Sequence, residues 1–493
     1  MRSLMVVGTT SHAGKSLLTA AICRLLMRQG WRVAPFKGQN MALNSYVTAS
    51  GGEIGYAQAV QAWAAGIKPR IEMNPILLKP QGNMTSQVIL AGQSIGTTSA
   101  EDYYEQFFEK GWKMIVESLR RLSQDFDFIV CEGAGSPAEI NLKHRDLTNM
   151  RVAKHLNAPT LLVVDIDRGG AFAHVIGTLV LLDPEERALV KGIVINKFRG
   201  RKSILDPGIT WLEERTGIPV LGVIPWIDQV FPSEDSLDLL ERRGNHKNAD
   251  LTIGVIRLPR ISNFTDFDPL EAEPSVRVRY IELGDDLAYP DAIVLPGSKT
   301  TIADLLAMQE TGIDRKIRDY AAAGGTVLGI CGGFQMMGQD LTDPEGIEGY
   351  EGRFAGLQLL PLRTYFDAQK ITRQRQVTSH YPQDGLPVQG YELHQGRSKV
   401  LTQDLPEAVE LFDEPGLGLV STSRALWGTY LHGIFDNGPW RRAWLNRLRQ
   451  QRGLKALPTG IANYRMEREA MLDRLADVVA EHLDLSPLLD SQQ

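Results

Sequence analysis

The sequence predicts an α/β protein of two domains, the first of which is a doubly wound, mostly parallel sheet. The chain has 493 residues, which is more than one hydrophobic core usually fills. Short apolar runs of the kind that form buried strands alternate with helical stretches through both halves. A glycine-rich turn between a strand and a helix lies in each half, at residues 8–16 and 329–333. Turns of this kind stand at the carboxyl edge of a sheet, where α/β proteins bind their ligands.

The composition is that of an ordinary globular protein. Hydrophobic residues make up 43% of the chain and charged residues 23%, and the net charge of -6 gives no sign of a nucleic-acid partner. Cys23, Cys131 and Cys331 are far apart and lack metal-ligand spacing, so we predict neither a disulfide framework nor a zinc site. The N-terminus lacks the apolar run of a signal peptide, and no stretch approaches the roughly 20 apolar residues of a membrane span. We therefore expect a cytoplasmic protein without a membrane partner.

The first strand runs into a glycine-rich loop at residues 8–16, which an amphipathic helix follows. In this context backbone N–H groups cradle phosphates, Lys15 reaches the terminal phosphates and the Ser16 hydroxyl binds Mg²⁺. The usual spacing would put glycine at position 9, but Thr9 stands there, so the loop up to Gly14 is one residue longer. We predict a nucleotide-binding loop that includes Thr9, Gly14, Lys15 and Ser16. The alternative is a plain turn between a strand and a helix.

A lysine and then several amide side chains follow the second predicted strand. Lys37 comes first, and Gln39, Asn40 and Asn44 follow it. Ligands of open α/β sheets bind at this end of the strands. A cation beside amides suits phosphate and a carboxylate or amide substrate, so the three amides are candidate substrate contacts. The alternative is a polar turn rich in asparagine.

Two later strands also end in polar residues. Glu132 follows an apolar run and precedes glycine, which is the position from which a P-loop enzyme holds Mg²⁺ near the phosphates. A capping role for Glu132 is the alternative. Asn196 ends another apolar strand, where its amide could contact the edge of a base.

Residues 1–226 resemble the dethiobiotin-synthetase-like P-loop ligases, and the longer loop at residues 8–16 carries the resemblance. The resemblance implies a P-loop domain of that fold, ATP-dependent phosphorylation of a substrate carboxylate, and attack of an amine on the acyl phosphate. It also implies which residues contact MgATP: Lys15 and Lys37 the phosphates, Ser16 and Glu132 the metal, and Asn196 the adenine.

A polar, charged stretch at residues 242–250 separates the two halves. It has no apolar periodicity, as expected of a linker. An apolar strand begins directly after it, at Leu251. We therefore predict an ATP-binding domain at 1–241 and a second domain at 251–493.

In the second half a buried strand ends at Cys331, with glycines on both sides. Gly329, Gly332 and Gly333 permit the cramped backbone that a nucleophile elbow needs. The helix predicted to follow would place its N-terminus at the thiol, where it favours the thiolate and supplies N–H groups to an oxyanion. Cys331 is therefore a candidate nucleophile. The alternative is a buried cysteine in a tight turn.

A cysteine nucleophile needs a base, which is most often a histidine remote in sequence. The downstream candidates are His380, His394 and His432. His432 ends an apolar strand, which would hold its imidazole in place, so we predict that His432 is the base and that His394 is the runner-up.

The loop after another predicted strand contains Gly297 and Ser298. Gly297 permits a backbone N–H to point into a cleft, so this loop is predicted to form an oxyanion hole with the N–H of Gly332. The alternative is a plain Pro-Gly turn.

The second half resembles the class I glutamine amidotransferase domains. Residues 329–335 are similar to their nucleophile motif, and residues 430–433 are similar to their histidine motif. The resemblance implies an α/β amidotransferase domain in which Cys331 forms a thioester with glutamine and ammonia is released. It also implies a glutamine site that includes the predicted oxyanion residues, Gly297, Ser298 and Gly332.

One position departs from the pattern of that family. A glutamate usually follows two residues after the histidine, whereas this chain has Ile434. We expect the third, orienting member to be Asp436 or Glu392, or a Cys–His pair to work without one.

Together the two halves resemble the cobyric and cobyrinic acid amide synthases over essentially the whole chain. Three segments carry the closer similarity, at residues 36–45, 74–80 and 390–397. They are similar to the branch of the family that amidates several peripheral carboxylates of a corrinoid a,c-diamide to give cobyric acid. The resemblance implies ATP, Mg²⁺ and L-glutamine as requirements and a corrinoid as the small-molecule substrate.

Two alternatives stand beside this hypothesis. The sister a,c-diamide synthase, which acts on cobyrinic acid, is similar in architecture but carries an Asp-containing segment where this chain has Gln39 and Asn40. The other alternative is a P-loop switch protein related to the partitioning ATPases, with an inactive amidotransferase domain. The Cys331 and His432 pair argues against a switch protein.

Overall fold

The computed structural model describes residues 2–82, 84–227, 249–401, 408–421 and 423–490. Over these positions the chain forms two compact units. The first unit is drawn from residues 1–41, 52–232 and 468–493, and the second from residues 42–51 and 233–467. Each half of the chain thus gives one segment to the other unit. Residues 242–248 of the predicted linker lie outside the described residues.

The N-terminal half alternates strands and helices. Its strands are, in chain order, β1 (Arg2–Gly8), β2 (Val33–Phe36), β3 (Gln39–Met41), β4 (Ser45–Val47), β5 (Glu53–Gly55), β6 (Ile76–Gly82), β7 (Thr85–Leu90), β8 (Gln93–Ser99), β9 (Phe128–Glu132), β10 (Thr160–Asp165), β11 (Val190–Phe198) and β12 (Val220–Pro225). Its helices are α1 (Lys15–Arg28), α2 (Tyr56–Ala64), α3 (Ala100–Asp125), α4 (Met150–Leu156), α5 (Ala171–Leu181), α6 (Pro184–Leu189) and α7 (Lys202–Thr216).

The first unit is built on a parallel sheet with the strand order β2-β9-β1-β10-β11-β12. β9 and β10 are buried along their whole length, as expected of strands covered by helices on both faces. β1 lies between β9 and β10, where the chain order reverses, so the loop after β1 leaves the sheet at the point where doubly wound sheets bind ligands. The smaller sheet β3-β6-β7-β8 belongs to the same unit.

In its described residues, the C-terminal half has more strands than helices. Its strands are β13 (Leu251–Ile256), β14 (Ile261–Ser262), β15 (Val276–Ile281), β16 (Ala292–Leu295), β17 (Gly297–Ser298), β18 (Thr326–Ile330), β19 (Asp340–Asp343), β20 (Gly352–Ala355), β21 (Leu362–Ser379), β22 (Leu386–Val400), β23 (Ala408–Glu410), β24 (Gly418–Ser421) and β25 (Leu426–Thr429). Its helices are α8 (Asp268–Glu271), α9 (Thr301–Thr311), α10 (Ile313–Ala322), α11 (Gly332–Met336), α12 (Gly438–Gln451), α13 (Tyr464–His482) and α14 (Ser486–Asp490).

The second unit centres on a sheet with the order β15-β13-β16-β18-β25-β24-β23. The strands from β15 to β25 are parallel, and β24 and β23 run antiparallel at one edge. β18 lies between β16 and β25, so the residues that follow these three strands meet at one edge of the sheet. A second sheet, β20-β19-β21-β22, contains the long hairpin of β21 and β22.

The end of the chain returns to the first unit. There α13 contacts α1 through Arg24, which pairs with Glu469 at 3.0 Å and with Asp473 at 2.8 Å. In the part of the chain that the structure describes, no helix is both long and apolar enough to cross a membrane.

The architecture confirms the predicted α/β class. One predicted helix is shorter than expected, since α11 after Cys331 has only 5 residues. The chain turns away after it because it packs closely on the start of β21: a methyl group on Gly338 would lie 2.7 Å from the Leu362 carbonyl oxygen.

Candidate functional site

Cys331 lies at the sharp corner between β18 and α11. Its backbone has φ 52° and ψ -108°, and such a conformation costs a residue other than glycine about 1–3 kcal/mol. The Cys331 N–H donates to the Thr429 carbonyl at 2.8 Å, and the Gly333 N–H donates to the Pro296 carbonyl at 3.0 Å. The residue forms no disulfide and is 6% exposed, and its thiol donates to the Leu393 carbonyl at 3.4 Å. The corner therefore presents the sulfur at the end of a central strand, as a nucleophile elbow does.

Two glycines let the chain make this corner. A methyl group on Gly333 would lie 2.1 Å from the Leu295 carbonyl oxygen, and one on Gly329 would lie 2.7 Å from the Gly333 carbonyl oxygen. Both distances are too short for real carbon atoms, so α11 could not pack this closely on β16 and β18 with a side chain at either position.

His432 follows β25, the neighbour of β18, and is 1% exposed. Ile330 of β18 pairs in register with Thr429 of β25, so Cys331 and His432 leave adjacent strands at the same edge of the sheet. The two side chains are close enough to interact electrostatically. The other side of the imidazole, Nδ1, lies 2.7 Å from Oδ2 of Asp266.

Asp266 lies in a 3-10 turn, Phe264–Phe267, and is 4% exposed. Its Oδ1 accepts a hydrogen bond from the Gly433 N–H at 2.8 Å, while Oδ2 faces His432. Both carboxylate oxygens therefore have partners, and the ring of His432 is held from the side away from the thiol. A nucleophile, a base and an orienting carboxylate stand in sequence, which is the arrangement of acyl-transfer triads.

The third member is thus neither of the two residues that the sequence analysis considered. Oε1 of Glu392 accepts from Arg375 Nε at 2.6 Å, and its Oε2 lies 3.3 Å from His394 Nε2. Asp266, rather than Asp436, lies against Nδ1 of His432. With Asp266 at Nδ1 of His432, the geometry favours a third member over a Cys–His pair that works without one.

His394, the runner-up for the base, has other partners. Its Nδ1 lies 2.7 Å from the Gly396 carbonyl oxygen, and its ring stacks on Tyr430 with 3.8 Å between centroids. Its Nε2 faces Glu392. Both ring nitrogens are therefore engaged, and the structure favours His432 as the base.

The charge of His432 follows from its surroundings. Burial alone would lower its pKa, but the Asp266 carboxylate and the Cys331 thiolate outweigh burial and raise the pKa from 6.5 to about 10. The imidazole of His432 is therefore protonated at neutral pH. A protonated histidine beside the cysteine is a feature of activated cysteine nucleophiles.

Gly297, Ser298 and Gly332 lie around the same corner. A methyl group on Gly332 would lie 2.9 Å from the Ser298 nitrogen, and one on Gly297 would lie 3.1 Å from Cε1 of His432. The Ser298 hydroxyl donates to Oδ2 of Asp304 at 2.7 Å, which ties the loop to the buried start of α9. The structure thus brings the three residues together beside the nucleophile, and their role as an oxyanion hole stays a prediction.

In the first unit the predicted phosphate loop leaves β1 and enters α1. Lys15, the first residue of α1, donates through Nζ to the carbonyl oxygens of Thr10 and Gly135, each at 3.0 Å. The Thr9 hydroxyl is buried, and its oxygen has no hydrogen-bond partner within the described ranges. Gly14 has a φ of 96°, which only glycine adopts without strain.

Glu132 stands at the end of β9 and gathers three polar side chains. Its Oε1 accepts from Ser16 Oγ at 2.7 Å and from Lys37 Nζ at 2.8 Å, and its Oε2 accepts from Gln61 Nε2 at 2.5 Å. Lys37 and Glu132 are both almost completely buried. A buried carboxylate beside a hydroxyl at the mouth of a phosphate loop fits Mg²⁺, which prefers hard oxygen ligands and substrate phosphates.

Asn196, at the end of β11, contacts the phosphate loop directly. Its Nδ2 donates to the Ala13 carbonyl at 2.8 Å, and a methyl group on Gly14 would lie 2.1 Å from this nitrogen. The described contact therefore supports the shape of the loop, and the predicted adenine contact stays a prediction.

The three candidate substrate amides fall into different surroundings. Gln39 accepts from the Tyr103 hydroxyl at 2.7 Å, and Asn40 donates to Gln58 Oε1 at 3.0 Å, both within the first unit. Asn44 belongs to the second unit, where its Oδ1 accepts from the Phe264 N–H at 3.0 Å. Their role in binding a substrate stays a prediction.

Sequence reasoning missed Asp266 and did not connect Gln61 with Glu132. Gln61 on α2 carries no motif, although it belongs to an amide-rich stretch. Asp266 follows the first strand of the second half, and parallel strands of one sheet share a carboxyl edge. The position of Asp266 after a strand of the same sheet was the one signal in the sequence that could have placed it near His432.

Two families of known domains match the chain. The CobQ/CobB/MinD/ParA nucleotide binding domain matches residues 4–239, and the CobB/CobQ-like glutamine amidotransferase domain matches residues 252–440.

Similar proteins match over nearly the full length. A cobyric acid synthase from a Nostoc species is 71% identical over 490 residues, covering 99% of this chain and 99% of that protein. The cobyric acid synthase of Nostoc punctiforme is 71% identical over 493 residues, covering 99% and 100%. That of Synechococcus elongatus is 70% identical over 489 residues, covering 99% of each.

Proposed function

Because the chain belongs to the cobyric acid synthase family, whose members are glutamine-dependent amide-forming ligases of cobalamin biosynthesis, we propose that it amidates several peripheral carboxylates of a corrinoid a,c-diamide. The product is cobyric acid, and the reaction uses MgATP and L-glutamine. The observation that carries this proposal is the Cys331, His432 and Asp266 centre in a chain that matches both family domains.

The glutaminase half of the reaction takes place at Cys331. The thiolate attacks the side-chain amide carbon of glutamine, and the tetrahedral oxyanion is stabilised by backbone N–H groups near Gly297 and Gly332. His432 gives its proton to the departing nitrogen, so ammonia leaves and a thioester remains. Water then cleaves the thioester with His432 as the base, which releases glutamate. Asp266 holds the imidazole in one orientation throughout.

The ligase half takes place at the phosphate loop. Lys15 and Lys37 bind the oxygens of the transferred phosphoryl group, whose charge they stabilise as it moves to the corrinoid carboxylate. The acyl phosphate that forms is attacked by ammonia, and phosphate leaves as the amide appears. Ser16 and Glu132 would hold Mg²⁺, which supplies charge neutralisation at the phosphates when bound.

The contacts of Glu132 are in keeping with this role. In the structure Lys37 and Ser16 both donate to one of its oxygens, so a cation and a hydroxyl already share the carboxylate. With a nucleotide bound, Lys37 would have a phosphate partner, and this oxygen of Glu132 would be available to hold Mg²⁺. The buried Thr9 hydroxyl is a further donor within the loop.

The proposal is tested with the full chain, glutamine, MgATP and either cobyrinic acid or its a,c-diamide. Glutamate, ADP and the masses of the corrinoid products are measured. We expect successive amides from the a,c-diamide, each accompanied by ADP and glutamate. Amidation of cobyrinic acid alone would assign the sister activity, and ADP formation that never depends on a corrinoid would contradict the ligase function.

A further inference from the structure

A short segment from the N-terminal half is part of the amidotransferase unit. Residues 42–51, which we call the strap, leave the first unit after Met41 and rejoin it at Gly52. The strap contains β4, and its Val47 packs in a small apolar cluster with Tyr391 and Leu393 of β22. The strap is thus bound to the second unit by packing as well as by chain connection.

The polar contacts of the strap are directed to the turn that carries Asp266. Asn44 is 2% exposed, and its Oδ1 accepts from the Phe264 N–H at 3.0 Å. The Ser45 carbonyl accepts from Asn263 Nδ2 at 2.8 Å and from the Tyr391 hydroxyl at 3.0 Å. Two adjacent residues of the strap therefore bind the start of the turn.

Asn263 contacts both the strap and Asp266. Its backbone has a φ of 54°, a left-handed conformation that asparagine adopts more readily than most residues. Its carbonyl accepts from the Asp266 N–H at 3.0 Å. The strap thus fixes the residue that sets the direction of the turn toward His432.

Tyr391 connects the strap to His432 by a second route. Its hydroxyl accepts from Asn263 Nδ2 at 2.8 Å and donates to the Ser45 carbonyl. Its ring stacks on His432 with 5.4 Å between centroids. The backbones of Tyr391 and His432 exchange hydrogen bonds of 3.1 and 2.9 Å.

We propose that the strap, through Asn44 Oδ1 and the Ser45 carbonyl, is a positioning element of the glutaminase centre that holds Asp266 and His432 in line with Cys331. This inference rests on the glutaminase function proposed for Cys331. The contacts favour it over a purely structural role because of the residues on which they end. Asn263 accepts from the Asp266 N–H, and the Tyr391 ring stacks on His432. The substrate contact predicted for Asn44 stays a separate prediction.

Two substitutions in the full chain test the inference. Asn44→Ala removes the acceptor for the Phe264 N–H, and Tyr391→Phe removes the hydroxyl but keeps the ring on His432. Since small misplacements of catalytic groups cost up to about 100-fold in rate, we expect kcat for glutamate release to fall about 10- to 100-fold in Asn44→Ala. KM for glutamine should change less than about threefold, because the glutamine loop is untouched.

A matched control comes from Asn446, which is 8% exposed and bonds the Leu457 backbone through both side-chain atoms, at 2.7 and 2.8 Å. Asn446→Ala removes a buried amide of the same kind outside the strap. We expect it to lose stability comparable to Asn44→Ala but to keep kcat. Thermal melting of both variants separates lost stability from lost positioning.

A second readout is the reactivity of the Cys331 thiol. The rate at which iodoacetamide alkylates Cys331 is measured against pH, and we expect its profile to shift in Asn44→Ala and Tyr391→Phe but not in Asn446→Ala. Amidation with added ammonium should remain in all three variants, since it bypasses the glutaminase centre.

Unchanged kcat and unchanged alkylation profiles in both Asn44→Ala and Tyr391→Phe would overturn the inference, as would an equal loss of kcat in Asn446→Ala. If Asn44→Ala does not fold, Tyr391→Phe decides on the same criteria. Should the unaltered enzyme release glutamate but form no corrinoid-dependent ADP, the ligase proposal fails while the test of the strap is unaffected.

Discussion

Replacing Asp266 by asparagine removes the negative charge beside His432 and little else. The amide oxygen of asparagine can still accept from the Gly433 N–H, which Oδ1 of Asp266 does at 2.8 Å. The amide nitrogen then faces Nδ1 of His432, where the carboxylate now lies at 2.7 Å. Two donors cannot share one hydrogen bond, so the imidazole must lose its Nδ1 proton or turn.

The size of the effect follows from that single contact. A buried hydrogen bond to a charged group contributes about 1.5–3 kcal/mol, and the mismatch left by asparagine adds the cost of an unsatisfied donor. Since each 1.36 kcal/mol is a factor of ten in rate, we expect kcat for glutamate release to fall about 10²- to 10⁴-fold. The rate of glutamate release falls off at high pH when His432 loses its proton. In Asp266→Asn this fall should begin about one to two pH units lower.

The sign of the pH effect on stability follows from the same group. The pKa of His432 is raised from 6.5 to about 10 despite burial, so the folded protein holds this proton more tightly than the unfolded chain. The resulting stabilisation is fully present below pH 6.5 and is lost as the pH rises through about 10. In Asp266→Asn the loss should begin at lower pH.

The assay is glutamate release between pH 6 and 10, with amidation from added ammonium as the internal reference. Asp436→Asn is the matched control, because it changes a carboxylate two residues beyond Ile434 that does not lie at Nδ1. The control should keep kcat within about twofold. A pH profile and kcat of Asp266→Asn indistinguishable from those of Asp436→Asn would refute the orienting role of Asp266.

Three further changes test other parts of the molecule. Cys331→Ala should abolish amidation from glutamine while leaving amidation from ammonium, and an equal loss of both would contradict separate centres. Glu132→Gln should raise the Mg²⁺ concentration for half-maximal ADP formation at least about 10-fold and spare glutamate release. Gly333→Ala should lower the free energy of unfolding by about 1–3 kcal/mol in denaturant, because the added methyl group would lie 2.1 Å from the Leu295 carbonyl oxygen. The control is Gly177→Ala in α5, where nothing lies within 4 Å of the added methyl group, and it should not lower the free energy of unfolding.

Both strand-to-helix corners could be predicted from the sequence because their causes are local. The loop after β1 and the corner at Cys331 each need glycine at fixed offsets from a short apolar strand. His432 was also within reach, since a histidine at the end of an apolar strand lies at the ligand edge of a parallel sheet. These features depend on a few neighbouring residues and on one general property of the fold.

Asp266 and the strap could not be predicted in the same way. Asp266 is separated from His432 by 166 residues, and no spacing rule connects the two. Asn44 carries no signal that would assign it to the second unit, because it directly follows a segment that belongs to the first. Such contacts depend on how loops pack after the sheets have formed, which local patterns do not encode.

The isoleucine at position 434 has a physical reason within this fold. Ile434 is 0% exposed and packs in the apolar core with Phe435, so a carboxylate there would be buried among apolar side chains at a cost of several kcal/mol. The turn Phe264–Phe267 instead brings Asp266 to Nδ1, where a backbone N–H satisfies its second oxygen. The strap forms hydrogen bonds with this turn. The carboxylate beside His432 therefore lies in a turn that a segment of the nucleotide-binding half contacts directly.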